Sequence, residues 1–427
     1  MKKVLIVTYY WPPAGGPGVQ RWLKFVKYLK EFGIEPIVFI PKDPDYPMLD
    51  ESFLKEVPKD ITILKGRIFE PYFLAKIFSK KGATKISSGI IADEEKQSIL
   101  QKLMLYIRGN FFIPDARKFW VKPSVSYLSK YLSENNIDAV ITTGPPHSVH
   151  LIGLKLKQKY DIKWFADFRD PWTQIGYHEK LKLSERSRKK HLKFENVVLN
   201  TADRIIVTSY TTKNEFSKIT KKPISIITNG YDGKLNDTLK ALDEHFTISH
   251  IGSLLSGRNP INLWKVLEEL IMEDKDFAKN FKLKLIGTVS EEVINSIKNF
   301  KLDNNLEILG YVPHKEAINI QKRASVLLLI EIDSIDTRGI IPGKLFEYMM
   351  AKRPILAIGP EQWDVIRLLE NTNAGQFFNY KEGKKLKEYI LKLYQLYKQN
   401  KLTSHSYNIE QYSRRSLTAK LVKLLNK

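Results

Sequence analysis

Residues 338–359 read RGIIPGKLFEYMMAKRPILAIG, and this stretch decides how the chain is built. A loop with Pro342 and Gly343 opens a short helix, on which Lys344 and Glu347 lie three residues apart and so share one side. Leu345, Phe346, Met349 and Met350 make the opposite, apolar face. Pro354 stops the helix, and Ile355 to Ile358 is an apolar run that suits a buried parallel strand. Helix followed by buried strand is the grammar of a doubly wound α/β sheet.

Working outward, the same alternation recurs along the chain. Val4 to Tyr9 reads as a first strand. Val19, Trp22, Leu23, Val26 and Leu29 follow at helical spacing, and Gly33 ends that helix before the strand Pro36 to Ile40. Ala139 to Thr143, Ile162 to Ala166, Arg204 to Thr208 and Ile224 to Thr228 continue the series. A second series runs through Phe246 to Gly252, Leu283 to Gly287, Leu306 to Leu309, Ser325 to Glu331 and Ile355 to Ile358. The polar stretch Tyr231 to Glu244 separates them. We therefore expect two Rossmann-like domains, 1–235 and 245–405, with a helical segment 408–427 bearing Leu417, Leu421, Leu424 and Leu425 on one face.

Composition narrows the class. At 427 residues and 43% hydrophobic, the chain is long enough for two packed cores. It has no cysteine, which excludes disulfides, thiolate metal sites and a cysteine nucleophile. The start MKKVLIVTYYW mimics a leader, but its apolar run stops at Pro12 and Pro13 without a small-residue cleavage pattern. With no run of bilayer length, the expectation is a cytoplasmic protein, soluble or peripheral at the inner membrane face. The net charge of +22 suits nucleic acid, anionic lipid, anionic sugar nucleotides, or simply a lysine-rich solvated surface. The lysines are dispersed and no RNA-binding signature occurs, so nucleic acid is not expected as a partner.

Several loops concentrate possible chemistry. The helix start at Pro342, Gly343 and Lys344 offers amides and a cation to a phosphate, and Glu347 offers an acceptor to sugar hydroxyls. A solvated helix face is the plain alternative. TYYWPPAGGPGVQR (residues 8–21) puts Gly15, Gly16 and Gly18 between a strand and a helix, permitting close backbone approach or just a tight turn. HIGSLLSGRNP (residues 250–260) places Arg258 in the matching loop of the second domain, with Asn259 able to cap the next helix. ITTGPPHSVH (residues 141–150) sets His147 at a helix start, where it either packs or meets a ligand. WFADFRDPW (residues 164–172) ends a strand in Asp167, Arg169 and Asp170. These either face a ligand crevice or, as an Arg169–Asp170 ion pair, anchor the turn.

These stretches resemble the GT-B glycosyltransferases, most closely retaining family 4. That resemblance implies two domains facing across a cleft, a final helix returning to the N-terminal domain, and a nucleoside diphosphate sugar as donor. Glu347 matches the second glutamate of the family's Glu-x7-Glu signature, which binds the donor ribose; Gly339 stands where the first glutamate would be. Arg258 matches the arginine that neutralises the diphosphate, Leu263 stands where a lysine is frequent, and Lys344 is expected to supply part of that charge. Gly15, Gly16 and Gly18 match the loop that contacts donor phosphates and sugar, and His147 the histidine near the reacting groups. Gly310 to Val312 matches a turn that brackets the base, and Thr228 to Asp232 a domain-junction segment. The implied reaction is retaining sugar transfer to a hydroxyl, with no resident cofactor and no metal required. The alternatives are an epimerase of the same fold, for which no acidic pair stands out, and a binding protein without transfer, which Gly339 allows.

The segment Leu64 to Leu132 breaks the pattern. It mixes Arg67, Lys76, Lys80, Lys81, Lys102, Arg108, Arg117 and Lys118 with Phe69, Tyr72, Phe73, Phe78, Tyr106, Phe111, Phe112, Phe119 and Trp120. Such a mixture suits an anionic membrane surface and a lipid-linked or saccharide acceptor, or else the core and soluble skin of an insertion.

Overall fold

The computed structural model describes residues 1–70, 99–174, 181–233 and 240–427. The chain divides into two compact units, Met1–Asn229 with Arg414–Lys427, and Gly230–Ser413. The boundary thus falls inside the Thr228–Asp232 segment.

The first unit holds seven parallel strands: β1 (Lys2–Thr8), β2 (Ile34–Lys42), β3 (Thr62–Arg67), β4 (Ala139–Gly144), β5 (Lys163–Phe168), β6 (Arg204–Val207) and β7 (Ile224–Ile226). Their order is β3-β2-β1-β4-β5-β6-β7. Side chains alternate across the sheet, so Leu5 and Val7 join one apolar layer while Val4 and Ile6 join the other. The Pro17–Leu29 helix covers the second layer, burying Val19, Trp22, Leu23, Val26 and Leu29. The C-terminal helix Arg414–Leu425 packs beside it through Leu417, Leu421, Val422 and Leu425, and Arg415 Nε donates to Glu31 Oε2 at 2.8 Å. Each such apolar side chain, fully buried, stabilises the fold by about 1.5–3 kcal/mol.

The second unit holds six parallel strands: β8 (Phe246–Ile251), β9 (Phe281–Ile286), β10 (Leu306–Gly310), β11 (Val326–Ile330), β12 (Ile355–Gly359) and β13 (Gly375–Asn379). They are ordered β10-β9-β8-β11-β12-β13. In each sheet the winding reverses once, between β1 and β4 in the first and between β8 and β11 in the second. Loops leaving the carboxyl ends of two such strands diverge and open a crevice, the usual place for a ligand in this architecture.

Two strands went unread in the sequence, β3 and β13. Both are edge strands, and each carries polar or small residues (TILKGR and GQFFN) because one side has no neighbouring strand. β3 also falls in the segment that reads as irregular. That segment continues with helices Ile99–Phe111 and Lys118–Glu134. Tyr72, Phe73, Lys76, Phe78, Lys80 and Lys81 lie outside the described residues. Among the described residues no helix is long and apolar enough to cross a membrane.

Candidate functional site

At the switch point of the second unit, three segments distant in sequence meet: the end of β8 with its following turn, the end of β11, and the helix Lys344–Ala351. The helix forms as its sequence pattern requires, with Leu345, Phe346, Tyr348 and Met349 buried and Lys352 ending it in the left-handed region two residues before Pro354. Tyr348, absent from the sequence reading, ties the helix to β8: its hydroxyl accepts from Ile251 N at 3.0 Å. The loop before the helix is pinned by Trp363, whose Nε1 donates to Ile340 O at 2.6 Å, and by Asp364 N on Arg338 O at 2.8 Å.

Lys344 projects towards Gly252, the residue after β8. Gly252 has φ +120°, and a Cβ there would come within 2.6 Å of Lys344 Nζ. The backbone conformation favours glycine, and any Cβ would push the lysine tip away from this position. Lys344 Nζ also lies 3.4 Å from His250 Nε2. Burial first, and then the charge of Arg258, bring the Lys344 ammonium down to about 8, with Glu331 and Glu347 partly opposing the shift.

Arg258 sits in the turn Ser256–Arg258 after β8 and donates from Nε and NH2 to Glu331 Oε1, at 3.1 and 2.9 Å. Glu331 directly follows β11 and is 1% exposed against 29% for Arg258. Asn259 does not cap the next helix; it accepts from Trp264 Nε1 at 2.7 Å and donates to Ser296 Oγ at 2.8 Å, fixing the turn by its side chain instead. Leu263 is wholly buried in the core of the unit.

Glu347 accepts from His314 Nε2 at 3.2 Å and from Gln321 Nε2 at 3.1 Å. Burial pushes its carboxyl upward, but these two hydrogen bonds and the Lys344 charge win, and it stays below the ordinary glutamate range. Pro342 and Gly343 precede the helix. Their carbonyls accept from the amides of Leu345 and Phe346, at 3.0 and 3.2 Å, so an anion at this helix start meets the amides of Gly343 and Lys344. A Cβ added to Gly343 meets nothing within 4 Å, which marks open space there. Gly310, with φ +67°, accepts from Gly287 N at 2.6 Å, and half-buried Val312 follows the exposed Tyr311.

In the first unit, the glycine loop leaves β1 at its switch point. Gly15 N donates to Met48 O at 2.9 Å, and Gly16, with φ +98°, precedes the Pro17–Leu29 helix. A Cβ on Gly18 would lie 2.0 Å from Arg169 NH1, so any larger residue there would displace the guanidinium tip. Arg169 Nε donates to Gly144 O at 3.2 Å, and its NH2 donates to Pro145 O. These contacts go to backbone carbonyls, so the guanidinium anchors the loop after β4 and packs on the glycine turn.

Asp167 does not face a crevice. It is buried, paired with Arg21 at 2.9 Å, and accepts from Trp22 Nε1 and Thr143 Oγ1 at 2.8 Å each. His147 likewise lies inward. It is 4% exposed and stacks on Trp172 at 5.0 Å with the rings 4° from parallel, a packed arrangement.

Arg117 and Trp120 also turn inward, at 5% and 0% exposure. Arg117 donates to Tyr9 at 3.3 Å and pairs with Glu70 at 3.4 Å. By contrast Leu103, Tyr106, Ile107 and Phe111 form an exposed stripe along the Ile99–Phe111 helix, and Phe119 and Leu192 are exposed too. Exposed Lys102 and half-buried Arg108 lie on the same helix, and half-buried Lys118 sits over the Phe112 and Phe119 rings within electrostatic reach of Lys190. The contribution of the Glu185–Thr201 helix was invisible in the sequence, because it depends on Asn110 binding Lys182 O and Ser184 N at 3.2 and 2.7 Å.

Comparison with known proteins agrees with this architecture. Residues 88–234 match the family model described as Glycosyltransferase Family 4. A search of curated proteins finds no match. Among solved structures, sucrose-phosphate synthase from Thermosynechococcus elongatus is similar at 13% identity and TM-score 0.60, covering 100% of this chain and 98% of that one. The lipopolysaccharide outer core galactosyltransferase WaaB is similar at 13% identity and TM-score 0.58, over 100% and 99% of the two chains. A TarM variant from S. aureus, in complex with fondaparinux, α-GlcNAc-glycerol and UDP, is similar at 14% identity and TM-score 0.58, over the full length of both chains. The two singly reversing parallel sheets and the neighbours that share them give this chain the GT-B fold, and residues 88–234 match glycosyltransferase family 4.

Proposed function

We propose that the protein transfers a sugar from a nucleoside diphosphate donor to an acceptor hydroxyl, with retained anomeric configuration. The observation that carries this reading is the convergence of Arg258, Lys344 and Glu347 at one end of the second sheet. Arg258 and Lys344, with the amides of Gly343 and Lys344, supply positive charge for a diphosphate. Glu347, one helical turn on, is the acceptor for ribose hydroxyls, and Val312 with its turn is the wall for the base. As the sugar–phosphate bond breaks, negative charge grows on the leaving diphosphate and positive charge on the sugar ring. Cations already in place stabilise that change. In this reading side chains and amides meet the diphosphate's charge, and no metal is assigned a part.

Gly339 offers no carboxylate, and buried His147 is given a packing role, so no protein nucleophile is assigned. The leaving phosphate is then the group that takes the acceptor's proton. That TarM was solved with UDP supports a nucleotide donor for this chain too.

For the acceptor we infer a lipid-linked saccharide of the cell envelope, reached from the inner face of the cytoplasmic membrane. The exposed apolar stripe of the Ile99–Phe111 helix, with Lys102 and Arg108 on the same helix, has the chemistry of an interfacial surface.

The deciding experiment is incubation with labelled sugar nucleotides and a membrane extract. Transfer of label to the lipid or saccharide fraction supports the reading. A new sugar nucleotide formed without acceptor assigns an epimerase, and binding without product assigns a sugar-nucleotide binding protein.

A further inference from the structure

His250 takes no part in the chemistry above, yet it touches the residue on which that chemistry depends. It lies in β8, wholly buried, with Nδ1 3.0 Å from Leu328 O and Nε2 3.4 Å from Lys344 Nζ. A carbonyl oxygen only accepts, so Nδ1 carries the ring proton; the Ser253 backbone also lies beside the ring and favours its charged form, but burial and the Lys344 charge outweigh it, which leaves a lone pair on Nε2 towards Lys344. We propose that His250 is a positioning residue for the donor diphosphate: its neutral Nε2 holds Lys344 Nζ beside the Gly252 turn without cancelling the lysine's charge. The proposal rests on the reading of Arg258 and Lys344 as the diphosphate's cations.

The two cations are anchored differently. Arg258 is held by a carboxylate, Glu331, which offsets part of its charge. Lys344 is held by an imidazole, so its charge remains available to an arriving anion. A lysine side chain has many rotamers, and fixing it before the ligand arrives lowers the ordering cost of binding. The titratable groups around Lys344 come from several segments: neutral His250 from β8, Arg258 from the turn after it, Glu331 from the end of β11 and Glu347 from its own helix. Burial first, and then the lysine's own charge, hold the His250 ring far below its ordinary value, so it stays neutral beside Lys344.

The test compares His250→Asn with His250→Gln. An Asn amide overlies Nδ1 and keeps the bond to Leu328 O but falls short of Lys344, whereas a Gln amide overlies Nε2 and reaches it. Affinities for UDP, GDP, ADP, dTDP and inorganic pyrophosphate are measured by calorimetry, with melting temperatures as the check on folding. His250→Asn should weaken the tightest diphosphate about tenfold, as expected for losing a charge-assisted contact, and His250→Gln much less. In a Lys344→Met background, His250→Asn should cost nothing further.

Equal weakening by Asn and Gln, unaltered binding by Asn, or an undiminished Asn effect without Lys344 each overturn the proposal and leave the donor reading intact. Wild-type protein that binds none of the five overturns both. If His250→Asn does not fold, His250→Gln decides: near-wild-type affinity supports the proposal, and a tenfold or larger loss, about the worth of the contact itself, overturns it.

Discussion

Arg258 sets two of its nitrogens on the same oxygen of Glu331, at 3.1 and 2.9 Å, while the carboxylate's other oxygen is buried with no hydrogen-bond partner among the described residues. The pair bridges the two loops that diverge at the switch between β8 and β11. It therefore shapes the crevice as well as charging it. Arg258→Ala should do two separable things. It should raise the Kd for a nucleoside diphosphate more than tenfold, from loss of about 1.5–3 kcal/mol of charge-assisted bonding. It should also lower stability by about 1–3 kcal/mol, because Glu331 is left buried and unpaired. Adding Glu331→Gln to Arg258→Met should restore the melting temperature and leave binding weak. Restored binding in that double variant would remove Arg258 from the site.

Glu347 keeps its shape in Glu347→Gln but loses the charged acceptor. Binding of UDP or GDP should weaken about tenfold, while inorganic pyrophosphate should change little, since it has no ribose. Competition calorimetry with both ligands reads the difference. Equal weakening assigns Glu347 to holding His314 and Gln321, that is, to the fold.

Lys344 makes donor binding pH-dependent. Its ammonium, brought down to about 8 by burial and by Arg258, loses its proton as pH rises through that value. A diphosphate favours the charged form, so affinity should fall between about pH 8 and pH 10, with proton uptake on binding near pH 8–9. Calorimetry in buffers of different ionisation enthalpy measures that uptake.

The stability sign is the opposite. A lysine whose folded value lies below its unfolded one costs the folded state most below pH 8, and that cost fades as pH rises towards the unfolded value. Lys344→Met should thus raise the melting temperature of the ligand-free protein at pH 7 while weakening diphosphate binding. A lowered melting temperature would show that the lysine's contacts outweigh its desolvation.

The membrane reading predicts sedimentation with anionic liposomes at low salt, weakening as salt screens the charges. Each basic residue near such a surface is worth about 1 kcal/mol. Changing Lys102, Arg108, Lys118 and Lys190 to glutamine should therefore cut association by about two to three orders of magnitude. Protein that ignores anionic liposomes removes the membrane from the scheme and leaves sugar transfer standing.

What the sequence determined by itself was periodic or local. The strand–helix alternation, the buried stripe of the Lys344–Ala351 helix and the returning leucines of the last helix follow from spacing. That spacing stays legible because one side chain in two or in 3.6 must face the core. The resemblance to a known family supplied roles for Arg258, Lys344 and Glu347. Tertiary structure alone decided how those residues are held. Glu331, His250 and Tyr348 lie 73, 94 and 97 residues from the groups they anchor, and no local pattern couples such distant positions.

Burial, too, was settled only by the fold. The sequence left open whether His147 and Arg117 pack or face outward; both are packed inside, because Trp172 from the loop after β5 and Tyr9 from the loop after β1 lie against them. The edge strands β3 and β13 escaped notice because TILKGR and GQFFN carry few apolar residues, which an edge position tolerates, whereas the edge strands β7 and β10 kept a legible apolar run. A chain can announce which residues want to be buried, but which of them share a partner depends on the closing of long loops, and that is a property of the folded whole.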